Sequence, residues 1–146
     1  MRVREGEKLK IDVQNRLKSI DEYVSAVEET APETVDAYKK RLEQKMLEVL
    51  GSSGIDENRI LAEAAIFADH IAVDEETVRL RSHMAQLEKM IESESPIGRK
   101  IDFLIQEFNR EANTIGSKCQ NSDIAHVVVN LKSEIEKIRE QIQNIE

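Results

Sequence analysis

Apolar residues recur every three or four positions along most of the chain, the spacing that places side chains on one face of a helix. The first such stretch runs from Glu5 to Thr30 and the next from Pro32 to Leu50. Pro is tolerated in the first turn of a helix, and Thr30 with Glu33 would form a capping box. The sequence therefore predicts a break at Pro32 and two separate helices.

Turn residues delimit three further helices. The glycine- and serine-rich segment 51–54 ends the second helix, and Asp56 is placed to cap a third. The acidic segment 74–76 suits the first turn of a fourth helix, because the helix dipole favours negative charge there. A fifth helix is predicted from Pro96 to about Ile115, followed by a glycine placed to end it.

The last predicted helix, from about Ser122 to Ile145, has the most regular pattern. Its apolar residues alternate gaps of four and three: Ile124, Val128, Leu131, Ile135, Ile138, Ile142 and Ile145. A 3.5-residue repeat is typical of a coiled-coil seam, whose partner is either the long first helix or another subunit. We expect a single all-α domain over residues 1–146, a bundle of long antiparallel helices with a coiled-coil-like C-terminal helix.

Composition supports the helical prediction and excludes several classes of protein. Five glycines and two prolines are few for a turn-rich β fold, and 3% aromatic residues leave little material for base stacking. A single cysteine, Cys119, provides neither a disulfide framework nor a thiolate zinc site. Because the chain has no apolar run of membrane-spanning length and no signal peptide, we expect a cytoplasmic protein with no membrane partner.

The net charge of −8 is unevenly distributed, because residues 98–118 carry a small positive excess. The charged residues of this block are Arg99, Lys100, Asp102, Glu107, Arg110, Glu111 and Lys118. Carboxylates one helical turn apart can hold a hard cation, while nearby Arg and Lys can hold the phosphate that the cation polarises. The alternative is a solvated helix face held by ion pairs, and spacing alone favours that alternative.

A second group of candidate ligands precedes His83. Glu76, Arg79 and His83 follow helical spacing, and Glu63 on the preceding helix can come alongside. A histidine with several carboxylates suits Mn²⁺ or Mg²⁺ better than a structural zinc ion, for which thiolates are typical. Acidic residues also occur at helix starts for reasons of the dipole alone. The pattern by itself therefore does not establish a site.

The block GRKIDFLIQEFNREANTIGSK, followed by KSEIEKIREQIQNIE, resembles the C-terminal domain of the YicC/YloC family of bacterial stress-linked proteins. The opening REGEKLKIDVQNRL and the central EETVRLRSH are similar to the same family in the same order, so the likeness spans essentially the whole chain. The resemblance implies an endoribonuclease that depends on a divalent cation, manganese in the first place with magnesium as the alternative. It also implies a homo-oligomer, with a hexamer as the expected form.

Carried over residue by residue, the resemblance implies three groups of functional side chains. The metal ligands would be Glu63, Glu76, His83, Asp102, Glu107 and Glu111. The catalytic residues would be His83, Glu107, Arg110 and Glu111, and the RNA-phosphate-binding residues Arg99, Lys100 and Lys118. One position departs from the pattern, because the family usually has an acidic residue where this chain has Ala72. If that acidic residue is a ligand in relatives, metal affinity is weaker here.

Family members carry a further N-terminal domain of comparable size, and the resemblance implies that this chain lacks it. A chain of net charge −8 is poorly suited to grip RNA alone, because affinity for the phosphate backbone comes from clustered Lys and Arg. We therefore expect RNA to be held mainly by the missing domain, and the isolated chain to be weakly active or inert. The competing hypothesis is a non-catalytic helical assembly module, supported by the Ile-rich seam.

Overall fold

A computed structural model describes residues 2–92, 98–119 and 121–144, and for residues 2–5, 98 and 99 it describes the backbone alone. The helices are α1 (Arg2–Leu50), α2 (Glu57–Ile71), α3 (Asp74–Glu92), α4 (Gly98–Lys118) and α5 (Ser122–Gln143), with a short 3-10 turn at Ser52–Gly54. The described ranges contain no β-strand, which confirms the all-α prediction. Within them no helix is both long enough and apolar enough to cross a membrane.

Four helices form a closed bundle in which each packs against two neighbours. The N-terminal part of α1 and all of α4 lie opposite each other, and both contact α3 and α5. Helices α1 and α5 are antiparallel, because Asp12 bonds to Gln141 near one end and Thr34 to Asn121 near the other. The core contains Val13, Ile20, Val24, Val27, Leu80, Leu87, Phe108, Ile115, Leu131, Ile135 and Ile138. This packing confirms the predicted bundle.

The apolar seam of α5 faces the inside of its own chain. Its six described members, from Ile124 to Ile142, are all buried, whereas Ile145 lies outside the described residues. The helix packs against α1 and α4. Of the two partners that the sequence left open, the long first helix is therefore the one that the structure contains. Coiled-coil supercoiling of this pair stays a prediction.

The predicted break at Pro32 is wrong, because α1 runs without interruption and contains this proline. Thr30 does not cap a new helix; its hydroxyl donates to the carbonyl of Ala26 at 2.7 Å. One turn beyond the proline, the buried Thr34 hydroxyl accepts a hydrogen bond from Asn121 on α5 at 3.2 Å. Packing continues on both sides of Pro32, and we infer that it outweighs the one backbone hydrogen bond that the proline removes.

Beyond the bundle, the C-terminal part of α1 and all of α2 form a two-helix projection, residues 35–71, which we call the arm. The rings of Tyr38 and Phe67 stack within it, with centroids 4.1 Å apart and planes 6° from parallel. Gly51 begins the reversal between the two helices with a φ of 74°, a conformation that favours glycine. The carboxylate of Asp56 accepts from the backbone nitrogen of Arg59, which confirms the predicted cap of α2.

The predicted end of α4 at Gly116 is also wrong, because the helix continues to Lys118. A Cβ at Gly116 would lie 3.3 Å from Cγ1 of Val128 on α5. The glycine therefore permits close approach of α4 and α5 rather than terminating a helix. The predicted start of this helix near Pro96 lies outside the described residues.

Candidate metal centre

Polar side chains cross the interface between α3 and α4 at three successive levels. Because the two helices are antiparallel, residues late in α3 meet residues early in α4. The three pairs are His83–Glu107 at 4.0 Å, Arg79–Glu111 at 3.6 Å and Glu76–Lys118 at 2.9 Å. We call this line of pairs the polar seam. It lies beside the apolar core of the bundle, so its members are partly or wholly shielded from water.

One end of the polar seam gathers an imidazole and two carboxylates. His83, Glu107 and Glu111 each offer one ligand atom, and these atoms all lie within 4.8 Å of one another. Glu107 and Glu111 are one turn apart on α4 and therefore share a face, to which α3 presents His83. Glu111 is only 3% exposed, while the other two side chains are half-buried. We call this group the carboxylate–histidine cluster.

The His83 ring is buried against Phe108 without a hydrogen bond. The two rings meet edge to face, with centroids 6.2 Å apart and planes at 84°. Both ring nitrogens of His83 are buried and have no hydrogen-bond partner in the described part of the chain. A buried polar atom left unpaired costs free energy, whereas a neutral imidazole nitrogen that binds a cation is satisfied. A cation at the cluster would satisfy one of the two nitrogens, because a neutral imidazole has a single lone pair to offer and its other nitrogen carries a hydrogen.

The donor set of the cluster, one imidazole and two carboxylates, is of the kind that can hold a divalent cation. Carboxylates suit Mg²⁺ and Mn²⁺, while imidazole suits transition metals such as Zn²⁺ and Fe²⁺. Three protein ligands would leave coordination positions open for water and a phosphate oxygen. Each carboxylate also has an arginine beside it. Arg79 lies near Glu111, and the 75% exposed Arg110 lies 3.9 Å from Glu107.

The far end of the polar seam is occupied by an internal ion pair. Lys118 Nζ donates to Glu76 Oε1 at 2.9 Å and to the carbonyl of Ala72 at 3.2 Å. Glu76 is buried, and its second carboxylate oxygen has no partner. The structure thus places a predicted metal ligand against a predicted phosphate-binding lysine. Position 72 contributes its backbone carbonyl to Lys118 and does not belong to the carboxylate–histidine cluster.

The remaining predicted site residues lie elsewhere. Glu63 is half-buried on α2, which packs mainly against α1. Asp102 is exposed on α4 and lines a groove towards Arg139 on α5, away from the cluster. Lys100 is exposed on α4, while the side chain of Arg99 lies outside the described residues. The structure therefore brings together His83, Glu107 and Glu111, and the ligand roles of all six acidic and histidine residues stay predictions.

Helical spacing along α3 singles out Arg79, but it does not predict that Arg79 contacts Glu111 on α4. Its guanidinium lies 3.2 Å from Glu75 on its own helix and 3.6 Å from Glu111 on α4. The signal in the sequence was its position one turn before His83, which puts both side chains on the face towards α4. Which partner that face would meet depends on how the helices pack, and spacing along one helix does not contain this information.

The fold and the cluster define a class: an all-α bundle with a candidate divalent-cation site between two of its helices. Residues 27–146 match the family described as "Endoribonuclease YicC-like, C-terminal", and the chain belongs to this family. The resemblance seen in the sequence is confirmed.

Two relatives match over the whole length of this chain. It is 48% identical to the probable endoribonuclease YicC of Clostridioides difficile (strain 630) over 147 residues. It is 40% identical to the probable endoribonuclease YicC of Haemophilus influenzae (strain ATCC 51907 / DSM 11121 / KW20 / Rd) over 146 residues. Each match covers 50% of the relative. The chain therefore spans about half the length of the curated relatives that it matches.

Proposed function

We propose that this chain is the metal-binding half of an endoribonuclease that cleaves RNA phosphodiester bonds, with the carboxylate–histidine cluster as its cation site. The observation that carries the proposal is the meeting of His83, Glu107 and Glu111 between α3 and α4. Family membership supports RNA as the substrate. The buried His83 nitrogens without a hydrogen-bond partner also support the proposal, because one of them can bind a cation.

In this proposal the protein side chains have distinct tasks. Glu107, Glu111 and His83 would hold Mn²⁺, which when bound would supply an activated water and stabilise negative charge on the scissile phosphate. Phe108 fixes the orientation of the His83 ring. The exposed Arg110 lies beside Glu107 and binds a phosphate oxygen next to the scissile bond. Glu111 is the most deeply buried of the three ligands, at 3% exposure.

RNA binding requires more than this chain supplies. The net charge of −8 opposes binding of a polyanion, since affinity for the phosphate backbone comes from clustered Lys and Arg. We propose that the half of the relatives that this chain does not match supplies most of the RNA contacts. Neighbouring copies in a homo-oligomer, with a hexamer as the expected form, would supply the rest.

The test of this function uses a chimera in which the chain replaces the matching half of the Clostridioides difficile relative. We expect Mn²⁺-dependent cleavage of RNA, and a loss of at least about 100-fold in kcat/KM in the Glu107→Gln/Glu111→Gln double variant, the scale of a lost charge-stabilising group. The isolated chain should cleave much more slowly than the chimera, because most of the RNA contacts are absent.

The matched control is Glu88→Gln/Glu92→Gln, which removes two exposed carboxylates with the same spacing from α3. It should retain the cleavage rate of the chimera. Equal rates for the cluster variant and the control would overturn the proposed site. A fragment that cleaves RNA as fast as the chimera would overturn the division of labour.

A second candidate function, a helical assembly module without chemistry, is favoured by the arm. Nine large apolar side chains are notably exposed among the described residues, and five of them lie in the arm: Leu47, Val49, Leu50, Leu61 and Ile66. Exposed apolar side chains mark a protein interface where they form a contiguous patch, and the candidate function presupposes such a patch on the arm. The two functions are compatible, since an assembling domain can also carry a catalytic site.

A further inference from the structure

Arg79, a positively charged side chain, lies next to the carboxylate–histidine cluster along the polar seam. Arg79 and His83 are one turn apart on α3, and they face Glu111 and Glu107, one turn apart on α4. The four side chains therefore form two pairs across the α3–α4 interface, Arg79 with Glu111 and His83 with Glu107. Glu111 links the cluster to Arg79, because its carboxylate is part of the cluster and also lies 3.6 Å from Nη1 of Arg79.

Of these four side chains, Glu111 is the one whose charge most requires a positively charged neighbour. It is 3% exposed, so its carboxylate has little access to water, and a buried unpaired charge is strongly unfavourable. Arg79 is the cation that the structure places beside it. A Mn²⁺ ion held by His83, Glu107 and Glu111 would provide the same compensation at closer range and with twice the charge.

The position of Arg79 also allows its guanidinium to move away from Glu111. Its side chain is 53% exposed, and its other guanidinium nitrogen Nη2 lies 3.2 Å from Glu75, whose side chain is 80% exposed. The guanidinium can therefore swing towards solvent while it keeps the Glu75 contact on its own helix. The Lys118–Glu76 pair one level along the seam differs, because Lys118 also donates to the Ala72 carbonyl and is held at two points.

We propose that Arg79 is an exchangeable counter-ion of Glu111: it neutralises this carboxylate when no metal is bound and leaves it when the cation enters. Arg79 thereby sets the cation concentration at which the site loads. The inference rests on the proposed function, because it presupposes a metal at the cluster. It assigns Arg79 a positioning role and not a place in the chemistry.

The test is the affinity of the 146-residue chain for Mn²⁺, measured at pH 8 from the electron paramagnetic resonance signal of the free ion. Arg79→Gln removes the competing charge and should bind Mn²⁺ about fivefold more tightly, equivalent to about 1 kcal/mol. Arg79→Lys retains a positive charge and should bind within about twofold of the wild type, on the order of 0.4 kcal/mol. A purely structural ion pair predicts the opposite sign, because its loss would loosen the site.

The control is Arg81→Gln, which lies on the same helix and removes an arginine of the same kind. Arg81 binds Glu28 and Asp21 on α1, away from the cluster. The hydrogen bond with Glu28 raises the pKa of Arg81 above its ordinary value, and an arginine is charged at pH 8 with or without this shift. Its loss should leave Mn²⁺ affinity unchanged, and circular dichroism reports whether each variant keeps its helices.

The outcomes separate this inference from the function on which it rests. Tighter binding by Arg79→Gln, with Arg79→Lys and Arg81→Gln near the wild type, supports the exchange. Equal or weaker binding by Arg79→Gln, when the wild type binds Mn²⁺, overturns the exchange alone. If none of the four proteins binds Mn²⁺, the proposed metal site is wrong and this inference falls with it.

Discussion

At the scale of single residues, the polar seam shows that the role of a buried carboxylate depends on the side chain that it contacts. Glu76 and Glu111 are both buried carboxylates between α3 and α4. Glu76 is held by Lys118 at 2.9 Å, a charge-assisted hydrogen bond inside the protein. Glu111 has the longer contact with Arg79, at 3.6 Å, and lies beside the His83 nitrogens, which have no hydrogen-bond partner among the described residues. Equivalent residue types therefore suit a structural role in one case and ligand binding in the other.

We predict that Glu76→Gln separates these roles. Loss of the ionic partner of Lys118 should lower the free energy of unfolding by about 1–3 kcal/mol, measured by urea denaturation. Mn²⁺ affinity should stay within about twofold of the wild type, on the order of 0.4 kcal/mol, because Glu76 lies outside the cluster. Glu88→Gln, an exposed glutamate on the same helix, is the control for both measurements. A tenfold loss of Mn²⁺ affinity, about 1.4 kcal/mol, would instead make Glu76 a ligand, as the sequence predicted.

At the scale of helices, the sequence pattern predicted those helix ends that are determined by residues next to them in the chain. The cap at Asp56 and the start of α5 at Ser122 follow from nearby residues, and the structure agrees with both. The continuity of α1 through Pro32 depends on packing against α5, which spacing along α1 does not reveal. Gly116 was misinterpreted for the same reason, because Val128 on another helix explains it.

The site could be predicted only in part, and for a related reason. Glu107 and Glu111 were expected on one stripe of α4, and they are. Asp102 lies five residues before Glu107, which turns it to a different side of the helix, where it meets the groove beside α5. Glu107 faces α3 because of the way the helices pack in the closed bundle. Sequence spacing alone therefore supplied candidates but not the pairing between helices.

We predict that Pro32→Ala stabilises the protein. In a continuous helix, alanine restores the backbone hydrogen bond that proline removes, which should raise the free energy of unfolding by about 1–2 kcal/mol after the greater flexibility of the unfolded chain is included. Thermal denaturation monitors the effect, and Glu33→Ala at the adjacent exposed position is the control. A loss of stability would indicate that the proline favours a helix start at this point, as in two separate helices.

At the scale of the whole molecule, the apolar and polar interfaces lie at different places. The α3–α4 hairpin of the bundle carries the polar seam, while the arm carries most of the large exposed apolar side chains of the described residues. The arm lies beyond the bundle, and the assembly role proposed above would fall to it. The overall charge of −8 agrees with a chain that holds a cation and relies on other parts for RNA.

We predict that the arm supports self-association. Val49→Ser and Leu61→Ser together replace two side chains that are 71% and 55% exposed, so folding should be little affected. Analytical ultracentrifugation should show a smaller assembly for this variant than for the wild type at the same concentration. The control replaces Val129, which is 64% exposed on α5, with serine. A wild-type chain that stays monomeric, or equal masses for all three proteins, would remove the arm as an assembly surface.

We propose that His83, Glu107 and Glu111 together hold one divalent cation. The most direct test of this claim is a titration of the chain with Mn²⁺, followed by the electron paramagnetic resonance signal of the free ion. We predict one ion per chain for the wild type and for Glu88→Gln/Glu92→Gln, and binding at least about tenfold weaker, about 1.4 kcal/mol, for Glu107→Gln/Glu111→Gln. Equal binding by the three proteins, or no binding by the wild type, would contradict the claim.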